Sequence, residues 1–398
     1  MAVLIALVLG SQGENPARGA APPEGPSSDT FTPVVVSPLA RETASVLGTD
    51  GTYHVMYELM LVNAKMAPAT LQGLAVLDAR DRSRVLATFK GDDVVGRLRT
   101  LLPRPATDAT IESNGARFLF VELTFHAPSD VPRQVVHRLD LLAAAGPGAS
   151  APTPLTYTVA PFDIRGEPPH LGPPLKGQAW VAANGCCTAD IVHRGSVQSI
   201  NGGFFDAQRY AIDWMRLDDQ GRFVHGDPAK VESYTAYGAD VIAVADATVV
   251  DALDELDDQV PGQLPDPSTI TVRTVDGNHV VLDLDRGFYA FYAHLQRGSV
   301  RVHVGDKVKR GQLLGKLGNS GNTSAPHLHF HVMKGPSALG SDGAPYVIDA
   351  FRLSGQVDAA QFDAAPTIEG QWGQHRLDPA VSRQGAFPLD LAIVDFAP

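Results

Sequence analysis

Three histidines alternate with apolar residues in the segment 326–332, which reads PHLHFHV. Side chains of a β-strand point alternately to its two faces, so His327, His329 and His331 share one face and the apolar residues take the other. Imidazoles two positions apart lie roughly 6–7 Å apart at the backbone, which lets two of them converge on one metal ion. The alternative is a polar strand face of solvated histidines. The spacing favours a metal-binding strand.

The composition indicates a globular, mainly β protein. The chain has 398 residues, enough for two or three domains, with 44% hydrophobic and 19% charged residues. Its 38 glycines and 30 prolines favour a loop-rich β fold over a helical one. The net charge is −12 and no cluster of lysine and arginine stands out, so the chain lacks the electrostatic footprint of a nucleic-acid-binding protein.

The first ten residues (MAVLIALVLG) form an apolar run that is too short to span a membrane. A polar leader rich in Pro, Gly, Ser and Ala follows, so we expect residues 1–32 to form a signal-like or flexible segment. The basic residues that usually precede such a run are missing, and a buried N-terminal strand is the alternative. We expect a secreted, periplasmic or cell-wall-associated protein without a transmembrane span.

Strand-like runs dominate residues 33–167, for example 53–62 and 118–125, each bounded by turn residues. They predict an immunoglobulin-like β-sandwich that serves as an accessory domain. The Pro-rich stretch 168–174 predicts a domain boundary, with a second domain over 168–353 and a C-terminal extension over 354–398.

Two local features of the second domain leave testable expectations. Residues 269–274 and 279–284 are predicted to pair as strands across the turn 275–278. Cys186 and Cys187 are adjacent and have three possible states: a strained vicinal disulfide, two buried thiols, or part of a metal site. Buried thiols are the interpretation we favour.

Four motifs follow one another in the second domain: residues 292–295 (YAHL), 305–312 (GDKVKRGQ), 318–324 (GNSGNTS) and 326–330 (PHLHF). In order and spacing they resemble the lysostaphin-type (LytM-like) zinc endopeptidases, from Tyr210 onward over about a third of the chain. The resemblance implies an antiparallel β-core that holds one zinc ion in a groove. It also implies hydrolysis of peptide bonds in bacterial cell-wall peptidoglycan.

The resemblance also implies roles for individual residues. His329 and Asp213 would bind the zinc ion. His294 and His327 would be the catalytic histidines, which orient or deprotonate the attacking water and stabilise the oxyanion. These residue types suit peptide hydrolysis, because zinc lowers the pKa of bound water to about 7 and imidazoles exchange protons near neutral pH.

The sequence departs from the family at Arg209, four residues before Asp213, where the family has a histidine ligand. A guanidinium stays protonated and cannot bind zinc. The third ligand could be His331 on the same strand face as His329, or a loop histidine, His193 or His225. Alternatively, Arg209 replaces the metal by pairing with Asp213, and no catalytic zinc binds.

Three functions therefore remain open. The first is a zinc metalloendopeptidase acting on peptidoglycan peptides. The second is a catalytically inactive LytM-like module that binds peptidoglycan or regulates another hydrolase. The third is a carbohydrate or small-molecule binder, which only the β-rich first half of the chain supports.

Overall fold

The computed structural model describes residues 30–146, 148–363 and 370–398 and is mainly β, which confirms the predicted class. Residues 1–29 of the predicted signal-like segment lie outside the described residues. No helix in the described part of the chain is long and apolar enough to cross a membrane.

The first half of the chain contains one short helix, α1 (Asp92–Gly96), among its strands. These strands are β1 (Val34–Pro38), β2 (Glu42–Thr43), β3 (Val46–Leu47), β4 (Tyr53–Asn63), β5 (Ala69–Asp78), β6 (Val85–Lys90), β7 (Leu98–Arg99), β8 (Thr110–Ile111), β9 (Ala116–Phe125), β10 (Gln134–Ala143) and β11 (Thr153–Ile164).

The second half contains a second short helix, α2 (Ala359–Asp363). Its strands are β12 (His170–Leu171), β13 (Trp180–Ala183), β14 (Gln198–Ile200), β15 (Gly203–Phe205), β16 (Ile212–Arg216), β17 (Asp240–Ile242), β18 (Ala247–Leu253), β19 (Asn278–Asp283), β20 (Tyr289–Leu295), β21 (Lys307–Val308), β22 (Leu313–Lys316), β23 (Leu328–Met333), β24 (Val347–Val357), β25 (Gln374–Ala386) and β26 (Ala392–Asp395). Single 3₁₀ turns cover Pro128–Asp130, Val231–Ser233 and Pro267–Thr269.

Two sheets built from β1–β11 share one hydrophobic core. The first has the order β1-β4-β9-β7 with β3 beside β4, and the second has the order β2-β11-β10-β5-β6 with β8 beside β5. Residues from both sheets, such as Tyr57, Leu119 and Leu139, are buried in the same cluster. Burial of this apolar surface holds the two sheets together. The immunoglobulin-like topology and the domain boundaries stay predictions.

A large sheet organises the second half, in the order β12-β24-β26-β13-β16-β23-β20-β19-β18-β21 with β25 beside β24. The predicted C-terminal extension contributes to this sheet, because β26 lies between β24 and β13. The histidine strand β23 lies near the middle, between β16 and β20. Its apolar residues Leu328, Phe330 and Val332 enter the core, as the alternation predicts.

The predicted strand over 269–274 is wrong. Strand β19 pairs instead with β18 and β20. Residues 269–275 form turns because local bonds satisfy their polar groups: the Val275 N–H donates to the Thr271 carbonyl at 2.9 Å, and the hydroxyls of Thr271 and Thr274 lie 2.9 Å apart.

The favoured interpretation of the cysteines is also wrong. Cys186 and Cys187 are joined as a vicinal disulfide and are both buried.

Candidate metal centre

Three neighbouring strands bring the predicted site residues together. Asp213 on β16 lies directly opposite His329 on β23, and Ala293 on β20 lies opposite His329 from the other side. His294 therefore follows one position later, at a positive φ of 60° with its N–H donated to the Asp276 carbonyl. Such a backbone conformation is uncommon outside glycine and persists where the surroundings fix it.

Asp213 is the hub of the cluster. Its Oδ1 lies 3.1 Å from His327 Nε2 and 3.0 Å from His329 Nδ1. Its Oδ2 lies 3.3 Å from His193 Nε2 and accepts a hydrogen bond from the Asn184 amide at 2.8 Å. Burial raises the pKa of Asp213, but the imidazoles of His193 and His327 outweigh that effect and hold the pKa well below its usual value. The carboxylate is therefore ionised and available to a cation.

His193 supplies the third candidate ligand. It lies on the loop between β13 and β14, and its Nδ1 is 2.8 Å from the Asn184 carbonyl and 3.2 Å from the Ala211 carbonyl. Carbonyls only accept, so Nδ1 carries a proton and Nε2 faces Asp213. Burial lowers the pKa of His193, but the Asp213 carboxylate outweighs that effect and raises the pKa above its usual value. One potential ligand atom from each of His193, Asp213 and His329 lies within 4.8 Å of the others.

This donor set fits a zinc ion. His193 Nε2 lies 3.3 Å from a carboxylate oxygen, so either a second proton on the imidazole or a cation between the two atoms must hold them together. Two ligands of a tetrahedral zinc ion, each about 2.0–2.1 Å from it, are roughly 3.4 Å apart. Two imidazoles and one carboxylate also form a common catalytic zinc set.

His331 does not lie on the metal side of His329. Its Nδ1 is 2.9 Å from His329 Nε2, whereas His329 Nδ1 faces Asp213. His331 Nε2 is buried without a hydrogen-bond partner among the described residues. Burial lowers the pKa of His331 well below its usual value, so this imidazole is neutral. The geometry favours His193 over His331 as the third ligand, and His331 as the acceptor that orients His329.

The two predicted catalytic histidines stand side by side, with ring centroids 4.8 Å apart. The Nδ1 of His294 is 2.8 Å from the Ser320 carbonyl, and the Nδ1 of His327 is 2.7 Å from the Ala325 carbonyl. Both rings therefore donate from Nδ1. The Nε2 of His294 bonds to no described residue and can exchange protons, whereas the Nε2 of His327 faces Asp213 Oδ1 at 3.1 Å. Burial lowers the pKa of His294 well below its usual value, so this ring can act as a base.

Arg209 does not pair with Asp213, so the predicted pairing of these two residues is wrong. Its Nε donates to both carboxylate oxygens of Glu58, at 3.0 and 2.9 Å, and its Nη1 donates to the Gly343 carbonyl at 2.8 Å. Glu58 lies on β4 of the first sheet and is completely buried. The side chain of Arg209 thus points away from the candidate metal centre and into the contact with the N-terminal half.

A second arginine joins the same contact. Arg194, the residue after His193, pairs with Glu58 and, at 3.2 Å, with Asp206. Its Nη2 also donates to the carbonyls of Tyr57 and Val121 at 3.1 and 3.2 Å. We call Glu58, Arg194, Asp206 and Arg209 the buried ion cluster. It ties the loop that carries His193 to the first sheet, and no local pattern in the sequence indicates it.

The histidines open onto a groove of about 590 Å³. Besides His193, Asp213, His294, His327 and His329, its walls include Val192, Leu264, Ile270, Val272, Asp276 and Asn322. The turns over 269–275 therefore form part of the wall. His225 does not line the groove.

Residues 231–341 match the family model described as peptidase family M23. This part of the chain is an M23 peptidase domain. The predicted family resemblance is confirmed. The matched segment contains His294, His327 and His329, whereas His193 and Asp213 precede it.

Named relatives of the M23 domain share short stretches with it. Peptidoglycan DD-endopeptidase ShyC of Vibrio cholerae is 38% identical over 58 residues, which are 15% of this chain and 13% of the relative. Lysostaphin of Staphylococcus simulans is 43% identical over 58 residues, 14% of this chain and 11% of the relative. Endolysin 2638A of Staphylococcus phage 2638A is 33% identical over 113 residues, 28% of this chain and 20% of the relative. The chain thus spans a fifth or less of the length of each.

A solved structure, the catalytic domain of lysostaphin from Staphylococcus simulans, is 25% identical in sequence. The match covers 37% of this chain and 80% of that chain, with a TM-score of 0.22.

Proposed function

We propose that the chain is a zinc endopeptidase that hydrolyses peptide bonds in peptidoglycan. The observation that carries the proposal is the convergence of His193, Asp213 and His329 on the wall of a groove, beside His294 and His327. M23 relatives named for peptidoglycan and glycyl-glycine endopeptidase activity support the substrate class. Because peptidoglycan lies outside the cytoplasmic membrane, the proposal includes export.

His193, Asp213 and His329 would hold the zinc ion. When bound, zinc supplies a water that is acidic enough to attack at neutral pH and a Lewis acid for the scissile carbonyl. The Asn184 amide and the backbone carbonyls that bind His193 fix the orientation of these ligands.

His294 and His327 would move the protons. Each ring is anchored through Nδ1–H on a carbonyl. The Nε2 of His294 would accept the proton of the attacking water and later donate it to the leaving amine, while His327, whose Nε2 faces Asp213, would act as the hydrogen-bond donor. The protonated ring also stabilises negative charge on the carbonyl oxygen during attack. Two adjacent histidines allow one to act as base while the other donates a hydrogen bond.

Metal content and hydrolysis together test the proposal. After reconstitution with zinc and removal of the excess, we expect one zinc ion per chain by elemental analysis and release of soluble peptides from purified peptidoglycan. A chelator should abolish the release. His329→Ala should lose both zinc and activity, because only two of the three ligands remain.

His303→Ala is the matched control, since the side chain of His303 is 91% exposed and does not line the groove. It should keep zinc and activity. Full hydrolysis by His329→Ala, or hydrolysis that resists complete zinc removal, contradicts the proposed site. Peptidoglycan binding without zinc and without hydrolysis would make the chain a non-catalytic module instead.

A further inference from the structure

A second carboxylate, that of Asp276, lines the groove and has no partner. The residue is only 7% exposed, and its backbone carbonyl accepts the N–H of His294. Its side chain accepts no hydrogen bond from any residue that the structure describes, and neither carboxylate oxygen is sealed from solvent. Asp213, by contrast, contacts three histidines and one amide.

Among the described residues, only imidazoles offset the charge of Asp276. The described groove wall contains neither lysine nor arginine. The nearest positive groups that act on the carboxylate are the imidazoles of His279 and His193. His279 forms a hydrogen bond with the Gly277 carbonyl and lies 3.5 Å from Asp251. His193 faces Asp213. A buried carboxylate without a partner is costly in free energy, so a ligand that brings a cation gains what the protein lacks.

We propose that Asp276 binds a primary ammonium group of the peptide substrate, beside the reaction centre. The inference rests on the proposed function and adds a substrate requirement to it. Position supports this assignment, because the Asp276 backbone contacts His294 directly and the carboxylate opens into the same groove. Val192, Leu264 and Val272 lie on the groove wall, with 70%, 64% and 57% of their surfaces exposed, and would contact the aliphatic chain that carries the ammonium group.

Binding and hydrolysis of matched fragments test the assignment. The probes are a soluble peptidoglycan fragment with a free side-chain amine, the same fragment after acetylation of that amine, and a fragment whose only free amine is the peptide N-terminus. For the zinc-loaded protein we expect acetylation to weaken binding and lower kcat/KM by about 10- to 100-fold, the usual strength of a charge-assisted hydrogen bond. The third fragment shows which amine is recognised.

Asp276→Asn should bind and cleave the free and acetylated fragments equally well, with zinc affinity unchanged. Asp257→Asn is the control, because it removes the same charge from a residue whose side chain is 80% exposed and that does not line the groove. It should retain the preference for the free amine. Equal hydrolysis of the free and the acetylated fragment by the wild type overturns this inference while leaving the proposed function intact. Loss of zinc from Asp276→Asn also overturns it, because Asp276 would then be a metal ligand.

Discussion

At the scale of single residues, His193 takes the place beside Asp213 that the family resemblance implies for a histidine at position 209. The family motif has a histidine at position 209, but the arginine there binds Glu58, and His193 from a different loop faces Asp213. Without His193, the candidate metal centre would be one ligand short, because Arg209 cannot bind zinc. A ligand can thus move along the chain when a different loop reaches the same carboxylate.

Arg209→His should not improve zinc binding. We expect zinc affinity, measured by competition with a chelator, to stay within about threefold of the wild type, because His193 is already placed as the third ligand. The free energy of unfolding in urea should fall by about 3 kcal/mol, because Glu58 loses a buried partner. A tenfold gain in zinc affinity would show that the third position is vacant in the native chain.

His331 acts on the metal centre through His329. If His329 binds zinc through Nδ1, its Nε2 carries the proton and needs an acceptor, and His331 Nδ1 lies 2.9 Å away. His331→Leu should therefore lower zinc affinity by about 10- to 100-fold. His331→Gln keeps a neutral acceptor at this position and should retain most of the affinity. Equal zinc affinity in wild type and His331→Leu would exclude this role.

At the scale of elements, His137 makes the N-terminal strands sensitive to acid. It lies on β10, fully buried, with its ring nitrogens 2.8 Å from the Tyr57 hydroxyl and 2.7 Å from the Ala160 carbonyl. Burial lowers the pKa of His137 from 6.5 to about 4. The unfolded chain thus binds this proton more readily, so the stabilising contribution is complete above pH 6.5 and declines as the pH falls towards 4.

The contribution of this one group is about 3 kcal/mol between those limits. His137→Gln should flatten the fall in unfolding free energy from pH 6.5 to 4, as measured by urea denaturation, although its stability at pH 7 will also drop. His303→Gln, which changes an exposed histidine, should follow the wild-type curve. An unchanged pH slope in His137→Gln would assign the acid sensitivity to other groups.

The sequence predicts an element correctly where the contacts that determine that element are local. The alternation of 327–332 predicts the histidine face of β23, and the family resemblance implies that Asp213 and His329 meet. The strand predicted over 269–274 does not form, because hydrogen bonds between neighbouring threonines compete with strand pairing. The β-propensity of single residues takes no account of such bonds. From the sequence, His193 is one of several possible third ligands, because no periodicity shows which part of the fold a loop will contact. Arg209 and Glu58 are 151 residues apart, and only the tertiary structure joins them.

At the scale of the whole molecule, the N-terminal half helps to build the metal centre. The buried ion cluster connects Glu58 on β4 to Arg194, which is covalently next to His193. The backbone carbonyls of Tyr57 and Val121 add two further bonds to the same guanidinium. The first sheet therefore sets the position of a candidate ligand on the other half of the chain.

Glu58→Gln should thus weaken zinc binding as well as folding. We expect the zinc dissociation constant to rise about tenfold under conditions where circular dichroism shows a folded protein, because contacts that hold a metal ligand in place usually influence metal affinity by 10- to 100-fold. The control is Arg383→Met, which breaks bonds between Arg383 and the Thr49 carbonyl on another part of the contact between the halves. Arg383→Met should lose stability but keep its zinc affinity. Parallel zinc losses in both variants would mean that the ion cluster is only structural.

The position of β26 has a consequence for the order of synthesis. Residues 392–394 pair with β13, whose last residue Ala183 precedes Asn184, the residue that holds both Asp213 and His193. A nascent chain that has emerged only as far as the M23 motifs still has one edge of β13 unpaired. Pairing of strands this far apart in sequence is slow and comes late. We therefore expect the candidate metal centre to form only after residue 395 has emerged, so the sheet is completed later than the M23 motifs are synthesised.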